Sequence, residues 1–315
     1  MGAAAGESGI PLYDHAMRLH LASPDAPFHR DGCPLPDLAD HPRSRDRSRD
    51  RSSAAPAVVA AYFADPSARP AGVVGALHTA GWHPDSGEGI AAVVGRADPA
   101  RARRTGRWLV RHSADRCAVS VGLAVLGTVA KPADVPLIQT IGLLSHHFGP
   151  GAVRALVRLD PHALLWLADR VGGWGRVHAV EALCALADDP VIRRWLRRRA
   201  VVGDHLGRYY AGTVAVAAAL HEVADDPDLA DHLGTVLATM AEAENMGATL
   251  DRYEHAVPVL RAHLRQLAHR ELTRARFDTA SVIAAHLAAG GTRWPGDLAE
   301  GYAAVLARGT GVSRL

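Results

Sequence analysis

Apolar residues recur at helical spacing along most of this chain, and small breaks divide them into pairs. After Pro161, Leu164, Leu167, Ala168 and Val171 form one stripe. Gly172-Gly173-Trp174-Gly175 ends it, and Val177, Val180, Leu183, Cys184 and Ala187 mark one face of a second helix. The preceding unit runs from Pro132 through Ile138, Ile141 and Leu144, is predicted to turn at Gly149-Pro150-Gly151, and returns through Val153, Leu156 and Val157. The following unit carries Ile192, Trp195 and Leu196, turns near Gly203-Asp204 and returns through an Ala/Val-rich helix to about Val223. An earlier pair places Trp108 and Leu109 on a helix after Pro99, then Val119, Leu123, Leu126 and Val129 on its partner. Each unit therefore reads as helix, glycine-containing turn, helix.

Prolines punctuate these units at Pro66, Pro99, Pro132, Pro161, Pro190 and Pro227, and all but Pro132 follow an aspartate. Asp before Pro suits a helix start: the carboxylate accepts an orphan N–H, and proline lacks a donor where none is needed. A start signal about every thirty residues points to stacked helical hairpins, because a single hairpin cannot bury its own apolar face. The fold expected is all-α, a right-handed α-solenoid.

The ends read differently. Residues 1–57 form an N-terminal extension rich in Pro, Gly, Asp and Arg, with one short helix foreseen around Leu12, Tyr13, Met17, Leu19 and Leu21. Within it, Arg43-Ser44-Arg45-Asp46 repeats as Arg47-Ser48-Arg49-Asp50, a run without apolar residues that reads as a disordered linker. Residues 58–225 form the repeat block. Residues 226–315 form a helical C-terminal cap, with helices near 228–243, 247–269, 272–289 and 296–308 and Pro258 breaking or restarting one.

The prolines opening first helices, and second helices such as Arg176-Val177-His178-Ala179-Val180-Glu181-Ala182-Leu183, resemble HEAT-type repeats of the PBS-lyase HEAT-like class, as found in high-GC actinobacteria. The resemblance covers about residues 95–225 well and 58–95 loosely. It implies a concave surface lined mainly by second helices, and first helices on the convex side.

Composition narrows the function classes. Thirty-five basic against 33 acidic residues give a net charge of +2, so no global field draws the chain to nucleic acid or anionic membrane. Lys131 is the only lysine; the other basic residues are arginines, a bias that follows from GC-rich codons. Cys33, Cys117 and Cys184 form no metal-binding pair, and Cys117 and Cys184 read as small core residues. No basic n-region, apolar h-region or membrane-spanning run is legible, so a cytoplasmic location is expected.

The leading expectation is a non-enzymatic protein-binding scaffold contacting a protein or peptide partner through Arg176, His178, Glu181, Arg208, Tyr209 and Tyr210 on the concave face. Arg193, Arg194, Arg197 and Arg198, after Pro190, offer an anion or phosphate contact. Arg101, Arg103, Arg104, Arg107 and Arg111 form a second basic cluster. Both clusters fall on first helices, which makes them a flank rather than the main groove. The alternative is a nucleic-acid-binding HEAT-like protein. HEAT-like DNA glycosylases hold a damaged nucleotide with tryptophans and an aspartate, for which Trp166, Asp169 and Trp174 are the residue types present. No metal or other cofactor is expected: His15, His20, His29 and Cys33, and His146-His147, lack a recognised zinc spacing. A di-iron hydroxylase needs several His-Glu pairs, whereas this chain has only His221-Glu222.

Overall fold

The structure is a computed structural model that describes residues 9–25, 35–37, 41, 54–83, 86–202, 206–244 and 246–308. These residues form sixteen α-helices and no strand. The Arg/Ser/Asp repeat, His29, Cys33 and the Gly203-Asp204 turn lie outside the described residues. The chain divides into two compact units, 1–179 and 180–315, with the division inside the helix Gly173–Cys184 and within the block read as repeats.

The first unit contains α1 (Leu12–Ala22), α2 (Ala54–Ala64), α3 (Pro70–Ala80), α4 (Ser86–Val94), α5 (Pro99–His112), α6 (Arg116–Val129), α7 (Val135–Gly142), α8 (Ser145–Leu159), α9 (Pro161–Ala168) and the start of α10 (Gly173–Cys184). Neighbours pair as α5 with α6 and α7 with α8, and alternate helices also touch, α4 with α6, α6 with α8 and α7 with α9. The core runs through Val59, Tyr62, Leu77, Ile90, Leu109, Val121 and Val125. Gly106 and Gly122 allow the close crossing of α5 and α6: a Cβ on Gly106 would lie 3.1 Å from the Gly122 carbonyl oxygen. From the N-terminal extension, α1 packs on α5 and α7, with Leu12 and Ala16 buried.

The second unit contains α11 (Pro190–Arg199), α12 (Gly207–Ala217), α13 (Ala230–Ala241), α14 (Ala256–Ala268), α15 (Arg274–Gly290) and α16 (Gly296–Ala307). Here α12 packs on α13, α13 on α14 and α15, and α16 on α14 and α15.

The Asp-Pro signal works at three α-helices. Asp98 accepts from the Arg101 N–H, Asp160 from the His162 and Ala163 N–H groups, and Asp189 from the Val191 and Ile192 N–H groups. Asp226 caps only a 3-10 turn, Pro227–Leu229. Pro66 opens no helix: Asp65 accepts from the Ser67 N–H and hydroxyl in a local turn, and α3 begins at Pro70. Pro132 opens a 3-10 turn ahead of α7. Pro258 is the third residue of α14, where its missing N–H breaks no helical bond.

Gly149-Pro150-Gly151 is not the predicted turn. All three residues lie inside α8, and the chain turns at Leu143 and Leu144 instead. Both glycines face neighbouring helices at ordinary contact distance. A Cβ on Gly149 would lie 3.5 Å from the Gly175 Cα, and one on Gly151 would lie 3.4 Å from Leu123.

Many arginines have a structural task. Helix ends leave carbonyls without intrahelical donors, and a guanidinium supplies several donors in one plane. Arg101 donates to the carbonyls of Tyr62, Phe63 and Asp65 at the end of α2. Arg158 reaches Leu126, Gly127 and Ala130 at the end of α6. Arg197 reaches Ala218 and Ala219 after α12, and Arg308 reaches Leu267 and Ala268 at the end of α14. The positive charge also meets the negative end of each helix dipole.

In the second unit His263 of α14 is buried, with Nδ1 2.8 Å from the Tyr302 hydroxyl of α16. Burial pushes its pKa down to about 4, against the smaller opposing attraction of Asp231. A depressed folded value means that the unfolded chain binds the proton first, so stability present above pH 6.5 declines as pH falls toward 4. This one group accounts for a loss of about 2 kcal/mol between pH 7 and pH 5. Urea unfolding at the two pH values checks it: His263→Gln should shrink the pH dependence by that amount, and an unchanged dependence would refute the assignment.

Candidate functional site

Among the described residues, an open cleft of about 250 Å³ lies on the first unit, lined by Arg104, Arg107, Trp108, Arg111 and His112 of α5 and Leu137 of α7. The spacing of the α5 residues follows from the helix. Arg104, Arg107 and Arg111 recur at three- and four-residue intervals and share a face, while Thr105, Leu109 and Val110 are buried.

Three of the nearby guanidiniums are held in place. Asp134, 0% exposed at the turn before α7, receives Arg103 Nε at 2.7 Å and Arg103 Nη2 at 2.8 Å, and Arg107 Nη1 also donates to it. The Lys131 N–H donates to the same carboxylate at 2.8 Å. Burial alone raises the Asp134 carboxyl, but the hydrogen bonds from Arg103, Lys131 and Arg107 prevail and hold it below its ordinary value. Arg111 donates to Asp14 of α1 at 2.7 Å and lies over the Tyr13 ring at 4.5 Å. Arg104 is exposed on the cleft wall. Of the three guanidiniums that line the cleft, Arg107 and Arg111 pair with carboxylates, and Arg104 adds a further positive charge beside Trp108. Such a site can take up a carboxylate or phosphate and pack an apolar group on Trp108.

The second arginine helix is more internally committed. Arg193 donates to the Ala187 carbonyl, Arg197 pairs with Glu222 at 3.1 Å, and Arg198 stands 3.9 Å from Asp226. Arg194 is exposed.

The expected partner-binding set requires two corrections. Arg176 is 3% exposed and donates to the Ala168 carbonyl at 2.6 Å, so it serves the end of α9 rather than a partner. Tyr210 is 0% exposed in the core of the second unit. The remaining members keep some exposure: His178 and Tyr209 are half-buried, Glu181 is exposed, and half-buried Arg208 donates to Glu242 at 2.9 Å. Trp166 is flanked within its own unit by Arg170, 4.5 Å from its ring centre, and by His20 edge-on at 5.4 Å. Trp174 is 43% exposed with its ring 6.2 Å from that of His178, and Asp169 follows α9 as its half-buried C-cap. His221 stacks on His255 at 3.8 Å while its neighbour Glu222 pairs with Arg197.

A histidine–carboxylate cluster absent from the sequence expectations lies elsewhere in the first unit. His41 Nε2 is 3.2 Å and His78 Nδ1 2.7 Å from the same oxygen, Asp115 Oδ2. Asp115 caps α6, its Oδ1 accepting from the Ala118 N–H, which leaves Oδ2 for the two imidazoles. His41 Nδ1 faces the Asp37 carboxylate at 3.3 Å and its carbonyl at 3.2 Å. Asp37 is buried and held by Arg116 through the backbone N–H at 2.9 Å and the guanidinium Nε at 3.0 Å. Cys117 Sγ lies 3.5 Å from His41 Nε2. Burial pushes the thiols of Cys117 and Cys184 up to about 12, so both are protonated at neutral pH.

No helix among the described residues is long and apolar enough to cross a membrane. No protein-family model, curated protein or solved structure matches the chain.

Proposed function

We propose that the protein is a non-enzymatic binding scaffold that takes an acidic peptide segment of a partner protein into the α5 cleft. The carrying observation is the cleft itself: the guanidiniums of Arg104, Arg107 and Arg111 set against Trp108 and Leu137. A peptide with acidic and apolar side chains matches both features, and the arginines are pre-oriented by Asp14 and Asp134, which lowers the ordering cost of binding. A cleft of about 250 Å³ suits one or two side chains better than a track of nucleic-acid phosphates. This reading moves the contact from the second helices to a first helix, α5.

A HEAT-like solenoid remains the proposed architecture for the scaffold. Contacts between successive helices combined with contacts between alternate ones, as for α4, α6 and α8, support the stacking of hairpins.

The test uses a fluorescently labelled peptide of alternating glutamate and leucine, followed by anisotropy. Arg104→Glu reverses the exposed wall charge without touching the Asp14 or Asp134 pairs. It should weaken binding about tenfold, in line with one charge-assisted contact. Equal affinity for the wild type and Arg104→Glu would remove the cleft from the account.

A further inference from the structure

We propose that His41 Nε2, His78 Nδ1 and Asp115 Oδ2 form a Zn2+ site that fastens His41 to α3 and to the start of α6. The three ligand atoms lie within 4.8 Å of one another, His78 on α3 and Asp115 at the N-cap of α6. Two imidazole nitrogens and a carboxylate oxygen are ordinary zinc donors, and three protein ligands leave the fourth tetrahedral position to water.

The orientation of His41 suits a metal ligand. Its Nδ1 faces the Asp37 carboxylate and carbonyl, so the Nδ1–H has acceptors there. In the tautomer that donates Nδ1–H to Asp37, Nε2 carries the lone pair that a metal ligand needs. That lone pair points at Asp115 Oδ2, another acceptor, 3.2 Å away. Two acceptors at this distance repel unless a proton or a cation lies between them. The Arg116 guanidinium donates to Asp37 from its other side and fixes the carboxylate that faces His41 Nδ1. A cation shared by Nε2 and Oδ2 resolves the contact.

One separation already matches a tetrahedral site, and the second needs a small shift. Ligands about 2.0–2.2 Å from a tetrahedral zinc stand roughly 3.3 Å apart, and His41 and Asp115 are at 3.2 Å. His78 at 2.7 Å must move outward by about half an ångström, which its 44% exposed side chain permits. The outer shell is present as well: a ligating histidine commonly donates its other N–H to a carboxylate or carbonyl, as His41 does to Asp37.

The experiment uses the full-length untagged chain, stripped with a chelator and titrated with Zn2+ alone against a chromophoric competitor. The wild type should take up about one equivalent, and His78→Ala, a change at a partly exposed position, should weaken uptake by at least about tenfold. His146→Ala, on the exposed start of α8, should bind as the wild type does. His41→Ala gives a second reading, with the same loss expected. Zinc should also raise the melting temperature of the wild type but not of His78→Ala. Failure of the wild type to bind an equivalent, or equal binding by His78→Ala and the wild type, would overturn the site. Neither result bears on the α5 cleft, which shares no residue with it.

Discussion

Asp134→Ala is expected to lower the unfolding free energy by about 3–5 kcal/mol, the usual cost of removing one partner from a buried ion pair. The carboxylate is inaccessible to solvent and receives Arg103 twice, Arg107 once and the Lys131 N–H. Removing it leaves Arg103 and Arg107 facing one another across an emptied site and uncaps the turn that leads into α7. Arg103 and Arg107 are partly exposed and regain some hydration, which favours the lower part of that range. Asp134→Asn keeps the shape and some acceptor capacity, so it should cost less. The pH dependence follows the same physics. The folded carboxyl is held below its ordinary value, so its contribution is present above that value and is lost as pH falls through the folded pKa. Wild-type stability should therefore drop more steeply under acid than that of Asp134→Asn. Chemical unfolding at neutral and acid pH measures both effects. A loss below about 1 kcal/mol for Asp134→Ala would mean that solvent already screens the pair.

Gly175→Ala is expected to cost about 3 kcal/mol, at the upper end of overpacking changes. A Cβ at this position would overlap the Ser145 Cβ and lie 3.3 Å from the Ser145 Cα, where the start of α8 meets α10. The obstacle is a side-chain root and its backbone, so no rotamer change relieves it. Ser145→Gly removes the colliding atoms, and the double variant should recover most of the loss. Thermal unfolding of the four proteins completes the cycle. Additive effects would contradict a direct collision, whereas a coupling close to the single-variant cost would match it.

The parts of this molecule legible in the sequence are those fixed by neighbours along the chain. Asp98, Asp160 and Asp189 announce their helices because a cap acts within three residues. Helix type follows from the apolar stripes, as in α5, where Thr105, Leu109 and Val110 turn inward. Tertiary context decides the rest. Gly149-Pro150-Gly151 has turn composition, yet all three residues lie inside α8, packed against Gly175 and Leu123. Arg176 has the chemistry of a surface contact, yet the end of α9 takes its guanidinium. The α5 arginines stand out in the sequence, whereas their partners Asp14 and Asp134 and the opposing Leu137 come from other elements. His41, His78 and Asp115 are missed for a similar reason. His78 and Asp115 lie 37 residues apart, far beyond the local spacings by which zinc ligands are recognised. The one local clue is Asp37 four residues before His41.

Arginine content shows how one bias serves two ends. The chain has a single lysine, and the fold uses its arginines: Arg101, Arg158, Arg197 and Arg308 each satisfy carbonyls at a helix end. A lysine at these positions offers no planar fork and reaches fewer carbonyls at once. The arginines left over from this task, Arg104 foremost, are those available to a partner.

Binding of an acidic segment at α5 is tested most directly by comparing two ligands at about 0.15 M salt, where surface charges are screened beyond about 8 Å. A labelled glutamate–leucine peptide and a single-stranded oligonucleotide of equal charge are titrated separately into the wild type and Arg104→Glu. The account predicts that the peptide binds the wild type more tightly and that Arg104→Glu removes the preference. Tighter binding of the oligonucleotide, with an affinity that falls steeply as salt rises, would contradict it and favour a nucleic-acid-binding role.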